Sequence, residues 1–301
     1  MVRNLNPQFR FREDVSVLQE GTQFTFVCEK PFQLQVDIDG FSNFLISLHK
    51  GIESQDIPES LSPYLDIFRT RGLLQSHSEP MAFDTQDKFT KFKKWLQHNY
   101  KDPLAVWESL RKIEVLIVGC GGTGAIVTQN LLGCGIKNFH LIDYDVVQPD
   151  NFNRQYPFKH SDLGRLKTEA LKDYILERVP EASVKITQIK VEKAEDLTEF
   201  RSTDYIICCA DKPVGLINQL LTEAALSLDV PVLFGAVGMN DGEAGPLLKN
   251  SEEKKHYLLE WNKLLEARSK CLWAPTIEAS CGPINSKVSS EIAELFLKYW
   301  E

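Results

Sequence analysis

Hydrophobic positions along the chain follow one rhythm up to residue 112 and another beyond it. Val15 to Leu18, Phe24 to Val27 and Phe32 to Val36 are short apolar runs separated by Glu20-Gly21 and Lys30-Pro31. Such spacing predicts a small antiparallel sheet. Phe41, Phe44, Leu45 and Leu48 then fall at helical spacing behind Asp39-Gly40, and Leu61, Tyr64, Leu65 and Phe68 repeat it before Arg71-Gly72. Three strands followed by about three short helices is a winged-helix-like order. Residues 76–84 read as a linker, and residues 87–112 as helical segments broken at Asp102-Pro103. The first of these carries Lys88, Lys91, Lys93, Lys94 and Lys101, a local basic cluster.

From residue 113 the pattern becomes strand and helix in alternation. IEVLIVGCGGTG is a buried strand running into a glycine-rich turn, with a helix following, and FHLIDYD is a second strand. A helix over 163–178, the strand VKITQIKV, the buried strand DYIICCAD, a helix over 214–228 and the strand VPVLFGAVG come next. A helix over 285–300 follows, with Val288, Ile292, Leu295 and Phe296 on one face. The alternation predicts an α/β fold with a parallel, doubly wound sheet. The organisation expected is a winged-helix-like domain over 1–76, a linker and helical segment over 77–112, and the α/β domain over 113–301.

Composition narrows the class. The 301 residues are 43% hydrophobic and 25% charged, which suits about two globular domains with their own cores. No run approaches the ~18 apolar residues of a membrane span. MVRNLNPQFRFRED lacks the apolar stretch of a secretory signal, so a cytoplasmic protein is expected. There are 34 Lys and Arg against 42 Asp and Glu, the reverse of the basic excess of a nucleic-acid binder. The seven cysteines include no C-x-x-C pair, which fits a reducing compartment and offers no zinc-ligand spacing.

The chemistry gathers around Gly119-x-Gly121-Gly122-x-Gly124. Glycines between a strand and a helix let the backbone approach a ligand, and the helix N-terminus favours an anion there. Asp143, after the next strand, is placed to accept hydrogen bonds from a ribose hydroxyl. So far NAD, FAD and ATP fit equally. Arg154 and Lys167 flank the polar loop behind Asp143, where two cations suit a triphosphate better than a hydride carrier. Asp211 ends a strand at the ligand-binding edge of such sheets and is a candidate Mg²⁺ ligand.

Taken in order, G-x-G-G-x-G, D-x-D, N-F-N-R-Q, G-x-x-K and A-D resemble the adenylating domain of the E1/ThiF superfamily over about residues 88–300. The resemblance implies a Rossmann-like domain that activates a carboxylate with ATP and Mg²⁺ as an acyl-adenylate, in a homodimer. It assigns Asp143 to the ribose, Arg154 and Lys167 to the phosphates, and Asp211 to Mg²⁺. Asn151, Asn153 and Gln155 would line the pocket, with Gly121 and Gly122 as its floor. An arginine that reaches the phosphates from a neighbouring subunit in related enzymes is matched here by the stretch Lys88 to Lys91, which makes Lys91 a candidate.

Two departures refine the expectation. The paired C-x-x-C motifs common in sulfur-carrier and ubiquitin-like activators are missing, so no structural zinc is expected. The N-terminal unit resembles the leader-recognition domain of enzymes acting on ribosomally made peptides, which grip an extended segment as an added strand. Residues 1–76 hold seven Lys and Arg against ten Asp and Glu, which disfavours a DNA-reading wing. ADKPVGLINQLL and APTIEASCGPIN resemble the peptide-modifying enzymes of microcin C and pantocin A biosynthesis. The expected function is activation of a precursor-peptide carboxylate, pantocin-like at glutamate side chains, for dehydration and cyclisation. Alternatives are microcin-type adenylylation, a sulfur-carrier or ubiquitin-like activator, and a non-catalytic peptide-delivery scaffold. Cys271 and Cys281 fall in the region where ubiquitin-activating enzymes use a crossover loop near their thiol chemistry, and the sequence assigns neither a chemical role.

Overall fold

A computed structural model describes residues 8–75, 86–270 and 279–300. It divides into two compact units, Met1–Trp107 and Glu108–Glu301.

In the first unit, β1 (Gln8–Phe9) is followed by β2 (Ser16–Glu20), β3 (Gln23–Val27), β4 (Phe32–Gln35), α1 (Phe41–Lys50), β5 (Ile52–Glu53), α2 (Ser62–Thr70) and α3 (Thr90–Asn99). Strands β2, β3 and β4 form an antiparallel sheet in that order, and β1 pairs with β5. Glu20 faces Gln23 across the first hairpin, and Gly21 takes φ +61 in its two-residue turn. That left-handed backbone matches the twist of the flanking strands and suits glycine. Phe24 and Phe26 alternate inward on β3 and are nearly or fully buried. Phe26 and Phe11 both stand 5.2 Å from the Phe68 ring, and Phe24 stands 4.8 Å from Phe41. Helix α1 buries Phe41, Phe44, Leu45 and Leu48, the face its sequence spacing defined.

The division between the units falls inside α4 (Pro103–Lys112). Asp102 accepts the N–H of Ala105 at 3.0 Å, so the Asp-Pro break is an N-cap followed by proline in the first turn.

The second unit contains β6 (Glu114–Val118), α5 (Gly122–Gly133), β7 (Asn138–Ile142), α6 (Lys167–Arg178), β8 (Ser183–Thr187), β9 (Tyr205–Cys208), α7 (Ile217–Leu228), β10 (Val232–Val237), β11 (Gly242–Leu248), α8 (Ser251–Ser269) and α9 (Gly282–Lys298). Its six-stranded sheet runs β11-β10-β9-β6-β7-β8. The sheet is mixed, which corrects the expectation of a purely parallel one: β11 runs antiparallel to β10. GEAGPLL has two glycines and a proline and no β-branched residue, so its sequence carries little strand signal. An edge strand tolerates such residues because one side of it needs no partner.

Leu116, Val118, Ile206, Cys208, Val232 and Phe234 face a core shared with Ile217, Leu221 and Ala224 of α7. Tyr205, on the opposite face of β9, meets Phe296 of α9 at 4.7 Å. Two polar ties hold helix α8 to the last turn of α7 and to the turn that leads into α7. Lys254, fully buried, donates to the carbonyl of Ala225 at 3.3 Å, and the Trp261 indole donates to that of Gly215 at 2.8 Å. No helix among the described residues is long and apolar enough to cross a membrane.

Candidate functional site

Strand β6 pairs with β7 on one side and β9 on the other, and the chain builds outward from it in both directions. The loops that follow β6 and β9 therefore open at the point where strand order reverses, the usual ligand crevice of such sheets. The glycine loop 119–124 and Asp211 lie on these two loops.

Each glycine of the loop has its own steric reason. Gly119 takes φ +91, and a Cβ there would stand 2.7 Å from Ala210 N and 2.8 Å from Cys209 C. Backbone meets backbone at that point, so any side chain would push β6 and β9 apart. A Cβ on Gly124 would overlap the Gly119 carbonyl oxygen, and one on Gly122 would overlap the side-chain oxygen of Asn285. Gly121, the N-cap of α5, has only Gln155 Nε2 near it, at 3.9 Å. No side chain caps α5, so its first N–H groups point into the crevice without an intrahelical acceptor.

Asp143 organises the loop as well as facing it. Its Oδ2 accepts the N–H of Cys120 at 2.7 Å and its Oδ1 that of Asp145 at 2.8 Å. An ionised carboxylate keeps acceptor capacity beyond two such bonds, so a ribose hydroxyl can still be received. Lys167 opens α6 and is 7% exposed; its ammonium lies 3.1 Å from the Asp145 carboxylate. Sequence reading missed Asp145 as that partner, although it is the second acid of the D-x-D pair.

The N-F-N-R-Q loop forms a tight turn. Asn151 is 4% exposed and spends its side chain locally, accepting from Gln148 N and donating to Asp150. Arg154 donates to the Asp150 carbonyl and the Asn153 side chain, both at 2.8 Å, and Asn153 donates to the Ser280 carbonyl at 3.0 Å. Gln155 is 2% exposed, and its Oε1 is buried with no hydrogen-bond partner. A buried amide oxygen left unpaired beside the glycine loop is the signature of a missing donor. An adenine amino group or a ribose hydroxyl would supply one. The bare-glycine cradle, the uncapped helix and this orphaned acceptor together fit a nucleotide.

Asp211 is exposed beyond the end of β9. Among the described residues no group of three or more His, Cys, Asp or Glu could hold a metal ion together. A single carboxylate fits Mg²⁺ held mainly by phosphate oxygens and water. Lys91 is exposed in the first turn of α3 and belongs to the other unit.

Cys120 and Cys208 beside the loop are buried, which disfavours the thiolate that a nucleophile requires. Burial, reinforced by the Asp143 carboxylate, pushes the Cys120 thiol well above its ordinary range, and burial raises Cys208 to about 12. Both remain protonated at neutral pH. Cys281 is exposed at the N-cap of α9. Cys271 lies outside the described residues.

The profile of the ThiF family matches residues 100–301. The adenylyltransferase and sulfurtransferase UBA4 of Eremothecium gossypii is 34% identical over 127 residues, which are 42% of this chain and 28% of that protein. Its Saccharomyces cerevisiae counterpart is 31% identical over 124 residues, 41% and 28% of the two chains. The match thus spans little more than a quarter of these relatives' length. E. coli MccB, crystallised with AMPCPP and selenomethionine MccA, superposes with a TM-score of 0.77 at 20% identity, covering 97% of this chain and 88% of that one. Selenomethionine PaaA gives 0.60 at 20% identity, with 80% and 83% covered. At that identity the likeness is one of fold.

Proposed function

Because the chain belongs to the ThiF family, we propose that it is an ATP- and Mg²⁺-dependent adenylating enzyme whose substrate is a carboxylate of a ribosomally made precursor peptide. The observation that carries adenylation is the convergence on one crevice of the bare-glycine loop, Asp143, Lys167 and the unpaired Gln155 oxygen.

In this reading the α5 N-terminus and glycine loop receive the phosphates, Asp143 the ribose, and Gln155 a donor of the nucleoside. Asn151 and Asn153 hold the turn that presents Arg154. A carboxylate oxygen of the peptide attacks the α-phosphorus, and the bond to pyrophosphate breaks. Arg154 and Lys167 stabilise the charge that develops on the leaving group; Asp211 would hold Mg²⁺, which would supply further charge neutralisation there. Preorganised charges of this kind contribute roughly 10²–10³-fold each.

The peptide reading rests on the first unit, taken as winged-helix-like. A groove of about 500 Å³ runs between β2 and α1, lined by Val15, Val17, Phe24, Leu45 and Ile46 among others. Strand β2 is the edge of its sheet, so its outward N–H and C=O groups face no further strand among the described residues. A free strand edge beside an apolar groove suits an extended peptide held through its backbone, with alternate side chains in the groove. MccB, the fold neighbour over nearly the whole chain, was crystallised with MccA. We read the activated groups as glutamate side chains, on the absence of C-x-x-C pairs, with dehydration and ring closure following.

Incubation with ATP, Mg²⁺ and a candidate precursor peptide sought beside the gene, followed by mass spectrometry, tests this reading. Loss of water or carbon dioxide is the expected result; a gained nucleotidyl mass would replace ring closure with microcin-type transfer. An unmodified peptide with ATP intact would overturn the assignment. The UBA4 relatives favour a second reading, activation of a carrier protein ending in Gly-Gly. Adenylation of such a protein in place of the peptide would establish it. A homodimer with Lys91 reaching the partner's phosphates is part of the proposal, and unchanged ATP turnover in Lys91→Ala would remove that contact.

A further inference from the structure

Helix α9 comes from the far end of the sequence, yet its first turn sits on the glycine loop. Asn285 brings it there. This residue is 3% exposed, and its amide nitrogen donates to Ser280 Oγ at 2.9 Å and to the Cys281 carbonyl at 2.8 Å. Both N–H bonds are thereby committed to the turn before α9, which fixes the plane of the amide. Its Cγ stands 3.0 Å from where a Cβ on Gly122 would be, and Arg154 Cδ stands 3.3 Å from the same point. Gly122 is thus the meeting point of the glycine loop, the Arg154 loop and α9.

Two neighbours reinforce the contact. Ser289, one turn along α9 and fully buried, shares its hydroxyl hydrogen between the Asn285 carbonyl at 2.7 Å and the Thr123 carbonyl at 3.1 Å. Asn153, adjacent to Arg154, donates to the Ser280 carbonyl at 3.0 Å. The turn 280–285 is therefore held both by the loop that carries Arg154 and by the helix that abuts Thr123.

We propose that Asn285 is a positioning residue of the nucleotide site, which sets the glycine loop and Arg154 relative to each other by seating its amide against Gly122. The inference rests on the reading of that loop and Arg154 as nucleotide-binding. Glycine at 122 is required by Asn285: the bare Cα admits the amide, and the amide in turn holds the first turn of α5 in place. An apolar residue of similar size would fill the space without gripping Ser280 and Cys281, so the turn beside Arg154 would no longer be tied to the loop.

A double-mutant cycle on the full chain tests this, with ATP and Mg²⁺ as the probe in titration calorimetry and thermal unfolding measured alongside. Asn285→Ala and Asn285→Leu should each weaken ATP binding about ten-fold, equivalent to about 1.4 kcal/mol. Gly122→Ala should weaken it at least as much in the native background. In the Asn285→Ala background the same substitution should cost several-fold less, because the group it collides with is gone. Equal cost in both backgrounds would overturn the proposal. So would ATP affinity unchanged in both Asn285 variants, whatever their melting temperature. If the unsubstituted chain binds no ATP, the reading of the site fails with the positioning role. Coupling of the two residues in melting temperature would then show a contact that is structural only.

Discussion

The ammonium of Lys167 ends 3.1 Å from the Asp145 carboxylate, and the two differ sharply in exposure, 9% against 49% of their side chains. The pair is held by a largely buried cation and a half-exposed anion. Removing the cation leaves Asp145 able to rehydrate, so its loss should be cheap in stability and costly in function. Lys167→Met, which keeps the buried stem, should change stability by less than about 1 kcal/mol. ATP turnover should fall roughly 10²-fold or more. Denaturant unfolding and pyrophosphate release measured on the same preparation check both halves.

Asp143 should behave in the opposite way. Its two oxygens receive the N–H groups of Cys120 and Asp145, so Asp143→Ala strands two main-chain donors at the glycine loop. A loss of about 1–3 kcal/mol per stranded group that stays buried is expected, together with loss of ATP binding. Wild-type stability with ATP binding abolished would show that the carboxylate serves the ligand alone.

How much of this was legible beforehand follows from the range of each interaction. Asp143, Arg154 and Lys167 belong to a motif read within fifty residues, and local spacing sufficed to nominate them. The glycines were legible as a motif, but their individual reasons were not. Gly119 answers to the backbone of Cys209 and Ala210, and Gly122 to Asn285, residues about ninety and more than one hundred and sixty positions away. Lys167 was expected beside phosphate, while its pairing with Asp145 depends on how α6 enters the crevice. The charged run SEEKKHYLLEWNK is itself helix-prone and carries the signal for α8; β11, just before it, is hidden by its glycines and proline and is stabilised as a strand by pairing with β10.

Acidification should weaken the second unit at a pH well above the carboxylate range. His140 is 7% exposed, with Nε2 2.8 Å from Thr187 Oγ1, and burial lowers its pKa below 6.5 against the opposing pull of Glu114. The unfolded chain therefore binds the extra proton first as pH falls through 6.5. Stability is full above that value and declines below it, by at most about 1.4 kcal/mol per pH unit. Asp196, whose pKa is lowered, contributes to this unit only at more acidic pH, as Glu13 and Asp14 do to the first unit. The urea midpoint should drop between pH 7.5 and 5.5, and His140→Gln should flatten that drop. Equal slopes in the two proteins would assign the effect elsewhere.

The groove in the first unit offers a separation of functions. Ile46 lines it and is 52% exposed, so Ile46→Asp should leave stability within about 0.5 kcal/mol. ATP binding should be unaffected, while capture of the precursor peptide in a fluorescence titration should be lost. Unimpaired capture would move the peptide away from this groove.

The two ties of α8, to α7 and to the turn before it, act as a phase lock. An α-helix turns about 100° per residue. Lys254 and Trp261 are seven positions apart, so both side chains point to nearly the same side of α8 and reach Ala225 and Gly215 at once. One residue inserted between them would swing the indole about 100° off its carbonyl while the lysine stayed in place, and a deletion would swing it the other way. The segment between these anchors can therefore change in composition but not in length, and any natural variation in length should fall outside 254–261.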